Sequence, residues 1–149
     1  MSGTTRGPAP SIGALALPVL LLLLTGCATE KTTKVSAAGV VGTWKGPGGE
    51  QISLGADHAF TSSGLDSKNL AGTGCPAEVA GGSWGFMVAH GNSGFSSETA
   101  KSGSWIGLGF KVRWECGLSL AVVDDGETLC ATDDPGAPCG LGVRLTRRK

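Results

Sequence analysis

The sequence predicts an all-β fold: an antiparallel up-and-down β-barrel of about seven or eight short strands, with a β-sandwich as the alternative. Three observations predict it. Turn signals built from Gly, Asp, Asn and Pro recur at short intervals through residues 39–149. Between them, apolar residues alternate with polar or small ones at the period of a strand. Glycine is abundant, 26 of 149 residues, which favours turns and disfavours long helices. Closure into a barrel is preferred because it removes exposed strand edges.

Residues 39–46, GVVGTWKG, read as the first strand. Residues 49–55 follow as the second, with Ile52 and Leu54 on one face. Ala56-Asp57-His58 makes a turn, which Asp57 favours because its carboxylate accepts bonds from nearby backbone N–H groups. Phe60 marks the next strand. Residues 65–82 are a long Gly- and Ala-rich connection, and Pro76 keeps it out of a central strand. Residues 82–88 set Trp84, Phe86 and Val88 on one face; residues 90–94 turn; residues 95–102 are a polar loop or edge strand. From Ile106 to Val122 every even position is apolar: Ile106, Leu108, Phe110, Val112, Trp114, Cys116, Leu118, Leu120 and Val122. A single strand of that length would span about 55 Å, so the run must bend, with Glu115-Cys116-Gly117 as the corner. Asp124-Asp125-Gly126-Glu127 is a hairpin turn, residues 127–132 a strand and Asp133-Asp134-Pro135-Gly136 a further turn. The last strand, residues 139–147, carries Leu141, Val143 and Leu145 on one face and Arg144 on the other.

Ahead of the barrel, residues 1–26 read as an export signal. Arg6 and the α-amine supply its charge, and the apolar run from Ile12 to Leu24 is too short to span a bilayer core of ~30 Å. It matches the ~7–15 apolar residues of a signal peptide. The run ends in Leu24-Thr25-Gly26-Cys27, which resembles the lipobox of bacterial lipoproteins. That resemblance implies that the Cys27 thiol receives diacylglycerol and that cleavage after Gly26 makes it the first residue. The protein is then expected on the extracytoplasmic face of the cell membrane. Each buried CH₂ of its acyl chains contributes about 0.8 kcal/mol. Residues 27–38 form the lipidated cysteine and a flexible polar tether, and residues 39–149 the barrel domain.

An exported domain with four further cysteines, Cys75, Cys116, Cys130 and Cys139, is expected to hold two disulfides. A hairpin centred on Asp134-Pro135 sets Cys130 opposite Cys139, and the turn at Asp125-Gly126 sets Cys130 opposite Ala121 rather than Cys116. The pairing is therefore Cys130–Cys139 with Cys75–Cys116. No C-x₂-C occurs and neither histidine lies near a cysteine in sequence, so no metal or other cofactor is expected.

The triplet Gly-[Thr/Ser]-Trp occurs at Gly42-Thr43-Trp44, Gly82-Ser83-Trp84 and Gly103-Ser104-Trp105. The first copy, at the start of the first strand, resembles the G-x-W of the calycin barrels, the lipocalins and avidins. Its continuation through Ile52-x-Leu54 and Ala56-Asp57-x-x-Phe60-Thr61, with Asp134-Pro135 near the end, resembles small lipocalin-like lipoproteins of high-GC Gram-positive bacteria. The calycin resemblance implies that an arginine near the last strand, Arg144 or Arg147, lies across Trp44 and closes the barrel. The chain has no Tyr and lacks the polar set with which avidins hold biotin.

The remaining motifs have plainer readings. Gly81-Gly82-Ser83-Trp84-Gly85 fits G-x-S-x-G, but a nucleophile elbow needs a strand, a sharp turn and a helix in a large α/β sheet. His58 and His90 fall in turns and read as solvated. The acids Asp124, Asp125, Glu127, Asp133 and Asp134 match no EF-hand loop. Trp44, Trp84 and Trp114 read as core. Zero net charge argues against a nucleic-acid partner, and no catalytic set is present. The expected partners are the membrane, through Cys27, and a small apolar ligand taken at the barrel mouth or one face; the alternative is a structural or inhibitor-like barrel that binds another envelope protein.

Overall fold

The computed structural model describes residues 1–4, 7, 30–90, 93–111 and 115–147, with only the backbone of His90 and Ser93. Leu24, Thr25, Gly26, Cys27 and Trp114 lie outside the described residues. In chain order the elements are β1 (Val35–Ser36), α1 (Ala37–Val40), β2 (Gly42–Lys45), β3 (Gln51–Leu54) and β4 (Ala59–Ser63). They continue with β5 (Ala80–His90), β6 (Ser93–Ser97), β7 (Ser102–Gly103), β8 (Trp105–Phe110), β9 (Ser119–Val123), β10 (Thr128–Thr132) and β11 (Arg144–Arg147).

Eight of these strands close a barrel in the order β4-β3-β2-β11-β10-β9-β8-β5, with β5 returning to β4. All neighbours are antiparallel, as expected where consecutive strands are joined by turns. The closing pair joins the first and last barrel strands, Lys45 to Thr146 and Trp44 to Arg147. β6 continues the β5 ladder past the barrel, and β7 pairs with β1 in a separate small sheet.

The alternation seen in the sequence becomes the barrel interior. Trp44, Ile52, Trp84, Phe86, Ile106, Leu120, Leu129 and Leu145 are fully buried and belong to one cluster. Each contributes ~1.5–3 kcal/mol by leaving water. The Ile106–Val122 run does reverse: Trp105 pairs with Ala121, so its two halves are adjacent antiparallel strands. One-sided alternation fails in β9 and β10, where almost every residue is buried. Ala121, Val123 and Cys130 form a second small cluster with Trp105 and Cys139, on the opposite face from Leu120, Val122 and Leu129.

Several boundaries differ from the sequence expectation: β3 is trimmed to Gln51–Leu54, β5 extends over Ala80–His90 rather than 82–88, β6 already begins at Ser93, and three further differences have a visible cause. The first strand begins at Gly42 rather than residue 39, because residues 37–40 make one helical turn. Ser36 caps it, accepting the Gly39 N–H at 3.3 Å, and Val40 is buried as a plug at the barrel end. Gly42 then adopts φ +136°, a conformation costly for any residue with a Cβ. The last strand begins at Arg144 rather than residue 139. Thr132 Oγ1 lies 2.7 Å from both the Asp134 and Ala137 carbonyl oxygens and accepts the Asp134 N–H, which holds residues 133–143 as an irregular loop. The tether is also not free along its length: Val35 and Ser36 pair with Gly103 and Ser102, and the Thr33 N–H donates to Val122 O at 2.8 Å. A Cβ at Gly103 would meet the Phe86 ring at 2.6 Å, so that residue permits β7 to lie this close to the core.

Candidate functional site

At the end where β2 begins, α1 and short turns shut the barrel. The Trp44 indole N–H donates to Val40 O at 2.8 Å, satisfying its polar atom while the ring stays buried. The Arg147 guanidinium lies 4.8 Å from the Trp44 ring centroid and donates to Gly39 O. A contact of this kind contributes ~0.5–2 kcal/mol. Of the two arginines named from the sequence, Arg147 therefore takes this place and Arg144 does not. The register explains the choice: Arg147 is opposite Trp44, whereas Arg144 is opposite Cys130.

Trp84 is anchored similarly. Its indole N–H donates to Gly55 O at 2.9 Å, and the His58 ring packs 4.5 Å from it with Nδ1 3.0 Å from Trp84 O. His58 is thus half-buried rather than a solvated turn residue, because its left-handed backbone (φ 62°) turns the side chain back over Trp84. Ser83 sits within β5, between Ala59 of β4 and Gly109 of β8, with no helix following. The geometry of a nucleophile elbow is absent there.

Arg144 holds a different group together. Its Nη2 lies 2.7 Å from Glu30 and its Nη1 2.8 Å from Asp124. The hydrogen bond to Glu30 is the main cause pushing the Arg144 guanidinium above its ordinary value; burial opposes it, and the Glu30 and Asp124 charges add to it. Residues 30–36 thereby form a strap, pinned at Glu30, Thr33 and Val35–Ser36. Sequence reasoning missed it because the strap is polar and carries no period; the one available signal was the isolated Glu30. Glu30, Lys31, Thr32, Thr33 and Lys34 face Asp124 and Asp125 across an open polar depression of about 470 Å³.

The disulfides are Cys75–Cys116 and Cys130–Cys139. The first joins the β4–β5 connection to the β8–β9 connection, as the spacing argument had it. The second forms by a route other than the one expected. The β10–β11 ladder sets Cys130 opposite Arg144, and Cys139 reaches it from the 133–143 loop folded over the outer face. The β9–β10 register does set Cys130 opposite Ala121.

A second open depression, about 330 Å³ and largely apolar, lies along β2, β3 and β4, with Val41, Leu54, Ala59 and Phe60 among its walls. No group of three or more His, Cys, Asp or Glu side chains suited to a metal occurs among the described residues. No helix among the described residues is long and apolar enough to cross a membrane. The chain matches no known protein family, no curated protein and no solved structure.

Proposed function

We propose that this protein is a lipid-anchored envelope lipoprotein whose barrel serves as an interaction module, meeting another envelope protein with its outer surface. The observation that carries this reading is the filled interior. Trp44, Trp84, Phe86, Ile52, Ile106, Leu120, Leu129 and Leu145 occupy the space in which a ligand-carrying barrel would hold its cargo. The lipid anchor rests on the resemblance of Leu24-Thr25-Gly26-Cys27 to a lipobox, and places the molecule on the extracytoplasmic face of the cell membrane. Small barrels packed this way offer recognition through walls and loops, and the apolar depression on β2–β4 is a surface of that kind.

Native mass spectrometry of protein purified from membranes tests both parts. The expected species begins at Cys27, carries the mass of its acyl chains and releases no small apolar molecule. A ligand released in stoichiometric amount overturns the interaction reading in favour of a carrier. A Cys27→Ala protein that is still trimmed after Gly26 and still sediments with membranes overturns the lipid anchor.

A further inference from the structure

We propose that the flank of the barrel bearing the strap lies directly against the headgroup layer of the membrane that holds the anchor, so that the barrel is oriented rather than freely tethered. This rests on the lipidation of Cys27 proposed above. Only Ala28 and Thr29 separate Cys27 from Glu30. A chain reaches at most ~3.3–3.6 Å per residue, so Cys27 lies within about 11 Å of Glu30. Glu30 is itself held at 2.7 Å by Arg144, a residue of the barrel wall. Three residues further on, the Thr33 N–H is bonded to Val122 of β9, and β1 follows. The length that would make a spacer is laid along the barrel instead.

The surface this brings to the membrane suits headgroups. Lys31 and Lys34 are exposed on the strap, and Asp124 and Asp125 are exposed on the facing turn. Phosphates match the lysines and ammonium groups match Asp125, while Asp124 stays paired with Arg144, so the contact needs no net positive patch. Among the described residues, the large exposed apolar side chains are Met1, Val79 and Phe95, none of them in this depression. The flank therefore rests on the headgroups without inserting. In an eight-strand order β3 lies across the barrel from β9, so the apolar depression on β2–β4 faces away from the bilayer. The anchor then presents that surface to whatever approaches from outside.

The test uses the acylated full-length protein in a supported bilayer of phosphatidylethanolamine and phosphatidylglycerol. Mass spectrometry first establishes the acyl mass on Cys27; its absence overturns the anchor itself, and the orientation with it. Neutron reflectometry then measures the water gap between headgroups and protein. The expected gap for the native chain is within about 11 Å. It widens to about 20 Å when about twelve Gly/Ser residues are inserted between Ala28 and Thr29. Hydrogen exchange should slow at Lys31, Lys34 and Asp125 on the bilayer, relative to the Cys27→Ala protein in solution, and stay unchanged at Ser53. An acylated native protein whose gap equals that of the lengthened variant, or whose Lys31 and Ser53 amides are equally protected by the bilayer, overturns the proposal.

Discussion

At the end of the barrel where β2 begins, closure is made by side chains, by the short β3–β4 and β9–β10 turns and by a β5–β8 connection that is itself paired as β6 and β7: Val40 plugs, Trp44 is buried beneath it and Arg147 crosses the ring. At the opposite end three long connections emerge, β4–β5, β8–β9 and β10–β11, and both disulfides hold them. The difference follows from what each end has to bury. Short turns, and a connection whose backbone is paired in β6 and β7, leave few backbone groups to satisfy, so packing suffices. Long connections lose more conformational entropy on ordering, and cross-links reduce that loss by restricting the unfolded chain. One barrel thus uses noncovalent closure where its connections are short or strand-paired and covalent closure where they are long and irregular.

The sharpest way to break the packed end is Trp44→Ala. It should cost about 3–5 kcal/mol, read as a lowered urea midpoint, and should leave both disulfides able to form. At the other end, replacing Cys75 and Cys116 with Ala should cost about 4 kcal/mol. The same change at Cys130 and Cys139 should cost about 2.7 kcal/mol, because the closed loop is shorter, with sequence separations of 9 and 41 residues. Equal losses in thermal unfolding would show that the cross-links act by packing and not by restricting the unfolded chain. Arg147→Ala should cost about 1 kcal/mol and red-shift the fluorescence of Trp44, whereas Arg147→Lys should recover only part of the stability. The smallest effect belongs to Arg144→Ala. A half-exposed ion pair contributes ~0–1 kcal/mol, so global stability should barely move while the Thr33 and Val35 amides exchange faster. Arg144 is held above its ordinary value, so its contribution is fully present below the unfolded pKa and is lost only as pH rises through the folded one. Strap protection should therefore be the same at about pH 7 and about pH 10.

Legibility in the sequence follows the same division. The strands of the packed end were readable because short turns fix register: the four-residue turn Asp124–Glu127 sets Thr128 opposite Val123, and Cys130 opposite Ala121 follows by counting. The last hairpin was not readable that way. Its loop is shaped by Thr132 Oγ1 and two carbonyls, contacts with no periodic trace, so the ladder shifted and Cys139 left the strand. The helical turn at residues 37–40 is too short to show a period, and its Ser36 cap becomes visible only in the structure. Arg147 over Trp44 was half legible: the calycin resemblance pointed to two arginines, and only the register separates them. The strap was least legible, since it docks through backbone bonds and one ion pair rather than through an apolar face.

The pairing of Trp44 with Arg147 also sets a timetable. Barrel strands β2 and β11 are the first and last to be synthesised, so their ladder has the longest loop to close and forms late. The strap waits as well, because its partners Val122, Asp124 and Arg144 come from the last three strands and the turn between them. Until then β2 and the growing sheet carry open edges, and Trp44 lacks the arginine that covers it. The barrel therefore closes only after residues 144–147 have been made, and its most aggregation-prone interval ends only when they are free to pair.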